Sequence, residues 1–298
     1  MPDRRRRNPR RPPAARRPSS LLVAGLALAL LVGAAGCRSN PAEDPILRLS
    51  AAEALAQGKE LMAQGKYGRA QRYLAQAYEV EPNSVAGREG LLLLADSYYL
   101  DGGEANWIQA EAKYRDFLNR FPTSDQAAYA QFQIANSLAK RIKKPNRDQT
   151  ASARALAAYE ELLRLYPTSE YVAQAEEEIA EVRDRIAESE FVVGEFYLRY
   201  RYPGGAIQRF ESMLEDYPRY SQRDKVLYHL GVAYQRSRDP EHAGKAAEVF
   251  ARLAREYPES PWVTQIPDDL PAAPPPEEGE ADSERLADGT GDGEASSR

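Results

Sequence analysis

Five times in this chain a proline follows an aromatic or acidic residue and a serine comes soon after. The blocks are Glu81-Pro82-Asn83-Ser84, Phe121-Pro122-Thr123-Ser124, Tyr166-Pro167-Thr168-Ser169, Tyr217-Pro218 with Ser221, and Tyr257-Pro258-Glu259-Ser260. Their prolines are spaced 40, 45, 51 and 40 residues apart. Proline pushes the residue before it out of the α region, and a serine hydroxyl can cap the next helix by accepting a backbone N–H bond. Each block is therefore a helix stop followed by a start, and the chain must be a row of helical units of similar length.

Within the units, small residues recur where two antiparallel helices must approach closely. The first places Gly58, Ala70, Ala77 and Pro82 at the offsets of the tetratricopeptide (TPR) pattern, and the fourth repeats it as Gly194, Tyr197, Ala206, Phe210 and Pro218. Units two (Leu94, Ala95, Tyr98, Ala110, Tyr114, Pro122), three (Ile134, Ala135, Leu138, Ala155, Tyr159, Pro167) and five (Leu230, Gly231, Tyr234, Ala246, Phe250, Pro258) need short inserts between their helices. The expected fold is all-α, a right-handed TPR solenoid of about five helix pairs with disordered termini. Phe191 to Phe196 has strand-like composition, yet it stays in register with the repeat. Residues 170 to about 200 are expected to form one helix roughly 45 Å long, a spacer between front and rear repeats.

Composition divides the chain in three. Residues 1–37 hold eight Arg against one Asp, and residues 267–298 hold ten acids against two Arg, leaving a middle of ordinary balance. The basic start precedes an uncharged run, Leu21 to Ala35, that ends at Gly36-Cys37. That is the order of a signal peptide, and the run is short for a membrane span. Because the single Cys directly follows Ala-Ala-Gly, the segment resembles the lipobox of bacterial lipoproteins, with Ala34 where Leu is usual. Cys37 is then the lipidation site, 1–36 the cleaved signal and 37–45 a lipidated tether. Residues 267–298 begin Pro-rich and continue acidic, and they are expected to stay disordered for want of apolar surface to bury. Gly289 to Gly293 lacks the strand and helix of a phosphate loop.

Catalytic motifs are missing: the chain has no G-x-S-x-G, Walker or H-E-x-x-H pattern. With two His and one Cys, no metal site and no cofactor is expected, and the chain is not expected to be an enzyme. His229, beside Leu230 and Gly231, suits packing better than catalysis. Glu176 to Glu178 fan around a helix as a solvated face. The insert Arg141 to Thr150, with four basic residues, reads as a solvated loop in preference to a site for an anionic partner. The Arg run at the start abuts the signal core, so no nucleic-acid partner is expected.

A TPR solenoid receives peptide on the first helix of each pair, on the face away from the packing positions. The candidate groove residues are Leu55, Lys59 and Met62 in the first unit, Leu92, Asp96 and Tyr99 in the second, and Phe132, Asn136 and Ala139 in the third, spaced i, i+4, i+7. An apolar and aromatic floor with scattered polar groups suits an apolar or aromatic peptide end. The same positions could equally be buried by the next repeat.

Three further stretches carry a resemblance: Tyr166 to Tyr171 with Asp184-Arg185-Ile186-Ala187, Glu190 to Tyr197, and Arg209 to Pro218. In that order they closely resemble the BamD (ComL) family of outer-membrane assembly lipoproteins, over about residues 46–266 and most specifically from 165 to 218. The resemblance implies a lipid anchor on the periplasmic face of the outer membrane and a BamA-like insertase as partner. It also implies that front repeats, 46–168, receive targeting signals of unfolded outer-membrane β-barrel proteins, while rear repeats, 169–266, dock on the insertase. Arg209 matches an arginine that the family uses at that docking interface; the other reading is a surface Arg paired with Glu211 or Glu215. A periplasmic TPR lipoprotein scaffold serving cell division, pilus biogenesis or secretion is the alternative. The basic start, Ala34, the acidic tail and the turn Tyr202-Pro203-Gly204-Gly205 depart from the family's usual pattern.

Overall fold

The structure, a computed structural model, describes residues 44–268. Cys37, the signal segment and nearly all of the acidic tail lie outside them, as does the expectation of disordered termini. The chain divides between Leu49 and Ser50 into two compact units. Of the first, the described part is a 3-10 turn, Pro45–Arg48, with Asp44 accepting a hydrogen bond from the N–H of Ile46 at 3.1 Å.

The second unit holds every α-helix among the described residues. They are α1 (Ala51–Ala63), α2 (Tyr67–Val80), α3 (Val85–Asp101), α4 (Glu104–Arg120), α5 (Ala127–Ala139), α6 (Thr150–Leu165), α7 (Val172–Arg199), α8 (Pro203–Asp216), α9 (Arg223–Arg236) and α10 (His242–Glu256). A 3-10 turn, Val263–Gln265, follows. Each helix packs on the next, and α1 also meets α3 as α7 meets α9, so the first helices of pairs one and two, and of pairs four and five, lie side by side.

The punctuation works through one repeated backbone geometry. Glu81, Phe121, Tyr166, Tyr217 and Tyr257 end their helices with φ between −123 and −138° and ψ between 56 and 71°, outside the α region as a following proline demands. Each carbonyl then accepts from the N–H three residues on, at 3.0 to 3.1 Å, closing a turn with proline at its second position. The serines do less capping than their positions promise. Ser84 caps α3, its hydroxyl accepting from Gly87 N–H at 2.9 Å. Ser124, Ser169 and Ser260 instead accept from the N–H two residues on, at 3.2 Å, and brace the turn ahead of the helix. Ser50 and Glu53 form a full capping box at the start of α1.

Inside each pair a small residue on the first helix faces a large one on the second. Gly194 and Gly231 show why they are glycines: a Cβ there would lie 2.4 Å from the Phe210 ring and 2.7 Å from the Phe250 ring. Ala95 with Tyr114 and Ala135 with Tyr159 hold the matching positions, all four fully buried. The long α7 spans 28 residues, about 42 Å, and the strand-like stretch at Phe191 lies in its last third. Ala175, Ile179 and Val182 belong to one hydrophobic core, while Ala187, Phe191 and Leu198 of the same helix belong to a second. At the α7–α8 connection the residue in the left-handed region is Arg201, and Pro203 opens α8 at its first turn. Gly204 and Gly205 are thus helical, not turn residues as the sequence suggested.

Candidate groove and docking face

The inner row on α1, α3 and α5 divides between packing and access. Leu55, Leu92 and Phe132 are buried. Phe132 stacks on Tyr171 with ring centres 5.1 Å apart and tilts against Tyr159 at 6.0 Å. Lys59 is exposed and bridges to Glu89 on α3 at 2.5 Å. Met62, Tyr99 and Ala139 are half-buried.

Asp96 and Asn136 have a second task. The Oδ1 of Asp96 accepts from the hydroxyls of Tyr114 at 2.6 Å and Tyr129 at 2.8 Å. Asn136 Oδ1 accepts from Tyr159 at 2.6 Å, and its amide donates to Gln133 at 2.9 Å. A tyrosine buried opposite the small residue needs an acceptor for its hydroxyl, and the next residue along the first helix supplies it. Burial pushes the Asp96 carboxyl above the usual carboxylate range, and the two tyrosine bonds pull it partly back. Burial also raises the Tyr114 and Tyr159 hydroxyls, and Asp96 and Glu178 respectively raise them further.

Two cavities border α3, one along Val85 to Asp96 and the other at Tyr99. The first, about 560 Å³, is lined by Leu92, Asp96, Arg88 and Tyr129 among others. The second, about 480 Å³, joins Tyr99 and Asn136 to Lys140, Tyr159, Glu178 and Arg185. Of the sequence-selected residues, Leu92 and Asp96 therefore meet in one cavity, and Tyr99, Asn136 and Ala139 in the other. Leu55, Lys59, Met62 and Phe132 line neither. Tyr129 and Lys140 were not singled out from the sequence, and Tyr171 and Glu178 were not read there as groove residues. The signal for Tyr129 was indirect: a buried tyrosine beside an aspartate invites a second donor. Glu178 departs from the solvated-face reading, since only Glu176 and Glu177 stand exposed while Glu178 lines the second cavity and raises Tyr99.

The basic insert also differs from a simple solvated loop. Arg141, Arg154 and Arg115 all bond the buried carboxylate of Glu111, at 2.7, 2.7 and 3.1 Å, so the start of the insert is pinned to α4. Lys144 and Arg147 remain exposed.

On the rear half, Arg209 Nη1 donates to Glu190 of α7 at 2.6 Å. Glu211 and Glu215, the partners considered from sequence, lie two and six residues along α8 and so turn away from Arg209; Glu211 instead accepts from the Tyr234 hydroxyl. The Arg209 side chain is 41% exposed. His229 is packed among Phe191, Tyr228 and Trp262. Its Nδ1 lies 2.8 Å from the Lys225 carbonyl, which can only accept, so Nδ1 carries the proton. Burial lowers its pKa and keeps it neutral.

Helix pairs in side-by-side register, closed by repeated proline turns and opening a row of cavities on their first helices, define a tetratricopeptide-repeat protein. A tetratricopeptide-repeat sequence model matches residues 225–260, and the outer membrane lipoprotein family YfiO matches residues 48–237. The chain belongs to that outer membrane lipoprotein family. It is 28% identical over 246 residues to the outer membrane protein assembly factor BamD of Rickettsia prowazekii, covering 83% of this chain and 93% of the relative. To the outer membrane protein assembly factor BamD of Caulobacter vibrioides it is 26% identical over 222 residues, 73% of this chain and 70% of the relative. Among solved structures it is similar to the TPR2AB domain of yeast Sti1 in its pHSP90 complex, with TM-score 0.39 and 14% identity, covering 72% of this chain and 80% of that one.

Proposed function

We propose that this protein is a non-catalytic, lipid-anchored scaffold on the periplasmic face of the outer membrane, working in the assembly of outer-membrane β-barrel proteins. The relatives' shared description as assembly factors supports the process. Cys37, outside the described residues, supplies the anchor. Several acyl chains hold a protein to a bilayer durably where one is marginal.

One observation supports the division of labour: two cavities border α3, one at Leu92 and Asp96 and one at Tyr99, each lined by aromatic and polar side chains. An extended peptide laid along that face would set apolar or aromatic side chains against Leu92, Tyr129 and Tyr99. Its terminal carboxylate would find Lys140. The front half, 46–168, is then the receiving half for unfolded barrel-protein signals, with the early turns of α7 forming one wall of the second cavity. The rear half, 169–266, docks on a BamA-like insertase through Arg209, whose guanidinium would grip a carboxylate of the partner while Glu190 fixes its direction.

The test uses the full chain in envelopes. A photo-crosslinking residue at Tyr99 should capture unfolded barrel proteins, and Arg209→Glu should reduce co-purification of the insertase at unchanged helical circular dichroism. No capture at Tyr99 would overturn the receiving role, and undiminished co-purification would overturn the docking role.

A further inference from the structure

The first helices of the two rear pairs end alike. Arg199 is the last residue of α7 and Arg201 stands two beyond it, while Arg236 is the last of α9 and Arg238 stands two beyond. All four are exposed, and they surround one cavity of about 710 Å³ whose wall Leu198 and Pro203 complete. No carboxylate is among the lining residues. Arg199 reaches Glu195 at 3.5 Å, and the acid next to Arg238 in sequence, Asp239, lies 3.9 Å from His242. Among the described residues no ion pair engages Arg201, Arg236 or Arg238.

Two ordinary causes cover only part of this arrangement. A cation in the last turn of a helix complements the negative end of its dipole, which accounts for Arg199 and Arg236 but not for Arg201 and Arg238 past the helix ends. The other cause is pairing within the fold, and the third helix pair shows its form. There the residue two beyond the end of α5 is Arg141, which bonds the buried carboxylate of Glu111 at 2.7 Å. In the first two pairs the same position is a glycine, Gly65 or Gly103. The rear pairs thus carry an arginine where the front has either none or one already matched by an internal acid.

The backbone at Arg201 sharpens that contrast. Its φ is 62°, against 68° at Gly65. Both turns close with the same bonds: Gly65 N–H donates to Met62 and Lys66 N–H to Leu61, as Arg201 N–H donates to Leu198 and Tyr202 N–H to Tyr197. Glycine adopts this conformation without strain and a residue with a Cβ does not, so the turn itself gives no reason for an arginine.

We propose that this cavity binds a phosphate group, held by guanidinium edges from both helix ends at once. A phosphate monoester carries about −1.5 to −2 charge and three acceptor oxygens, and the planar fork of arginine donates to such oxygens two at a time. Its oxygens can therefore be shared between the ends of α7 and α9, and its charge offsets the repulsion among four like groups. Leu198 and Pro203 give an apolar wall for the group that the phosphate is attached to. The site is distinct from the groove on α3 and does not depend on the Arg209 docking role.

The test uses the mature chain, residues 37–298, with C37S so that no acyl group contributes to vesicle binding. In phosphorus NMR, inorganic phosphate should bind saturably, and acetate, followed by its displacement of phosphate, should bind roughly ten-fold more weakly or worse. R201G with R238Q should weaken phosphate binding roughly ten-fold or more. R201G alone should melt at or above the wild-type temperature, because glycine fits the turn, so that lost affinity is not lost fold. Vesicles of equal phosphatidic acid and phosphatidylcholine separate the sources. Capture that R201G with R238Q abolishes would identify a lipid headgroup, and phosphate binding without capture would identify a soluble phosphate compound. Binding of neither, binding that the double variant leaves unchanged, or acetate as tight as phosphate would overturn the proposal.

Discussion

The second and third helix pairs and the fourth and fifth solve one packing problem with different chemistry. In front, the large residue facing the small one is a tyrosine, Tyr114 or Tyr159, set against an alanine. Its hydroxyl needs an acceptor, and Asp96 or Asn136 on the inner face provides it. In the rear the large residue is Phe210 or Phe250, pressed on a glycine so closely that a Cβ would overlap the ring. The lesson is that the polar floor of the front groove follows from the choice of core residue. A hydroxyl at that depth places a polar acceptor, Asp96 or Asn136, on the inner face. A phenyl ring asks for no partner, so at Phe210 and Phe250 the contact with the glycine is wholly apolar.

Phe210→Ala should do most to break this contrast, since it empties a fully buried ring site with no polar partner. A loss of about 3 to 5 kcal/mol is expected in denaturant unfolding followed by circular dichroism. Asp96→Ala should come next. It leaves the hydroxyls of Tyr114 and Tyr129 without their acceptor, at about 1 to 3 kcal/mol for each that stays buried and unpaired. Adding Tyr114→Phe should recover part of that loss; a double variant no more stable than Asp96→Ala would show that the hydroxyl bond matters little. Gly194→Ala should cost about 1 to 3 kcal/mol by forcing a methyl against the Phe210 ring. Phe210→Leu should restore some of it, and thermal melts of the two variants and their combination give the coupling.

The smallest effect sharpens the comparison by pH. The Asp96 carboxyl titrates above its ordinary value in the folded chain. The folded state therefore holds more protons than the unfolded state between the ordinary and the raised value, so stability falls as pH rises through that window. Asp96→Asn keeps an acceptor and cannot ionise. The melting temperature of wild type relative to Asp96→Asn should decline across that interval and then level off; a difference independent of pH would refute the raised titration.

Much of the scaffold could be read in advance because its causes are local. Proline acts on the residue before it, so five helix ends were visible, and α7 was visible as one helix because its helical register runs unbroken through a β-branched stretch. The inner row was only half legible. Spacing puts Leu92 and Tyr99, or Phe132 and Asn136, on one face of their helices, yet it cannot say that Phe132 would be covered by Tyr171 while Tyr99 stayed open. That depends on how far the next pair is rotated. The partner of Arg209 was missed for the same reason: Glu190 is nineteen residues away and on another helix.

The sequence by itself determined the number and limits of the helix pairs, the small-against-large pairing within them and the three-part charge pattern, since each depends on neighbours along the chain or on composition. Only the tertiary structure decided which inner residues face a cavity, which carboxylates hold Arg141, Arg154 and Arg209 and which carboxylate is desolvated. Those outcomes depend on distances between side chains far apart in sequence, and the packing of whole helices sets those distances.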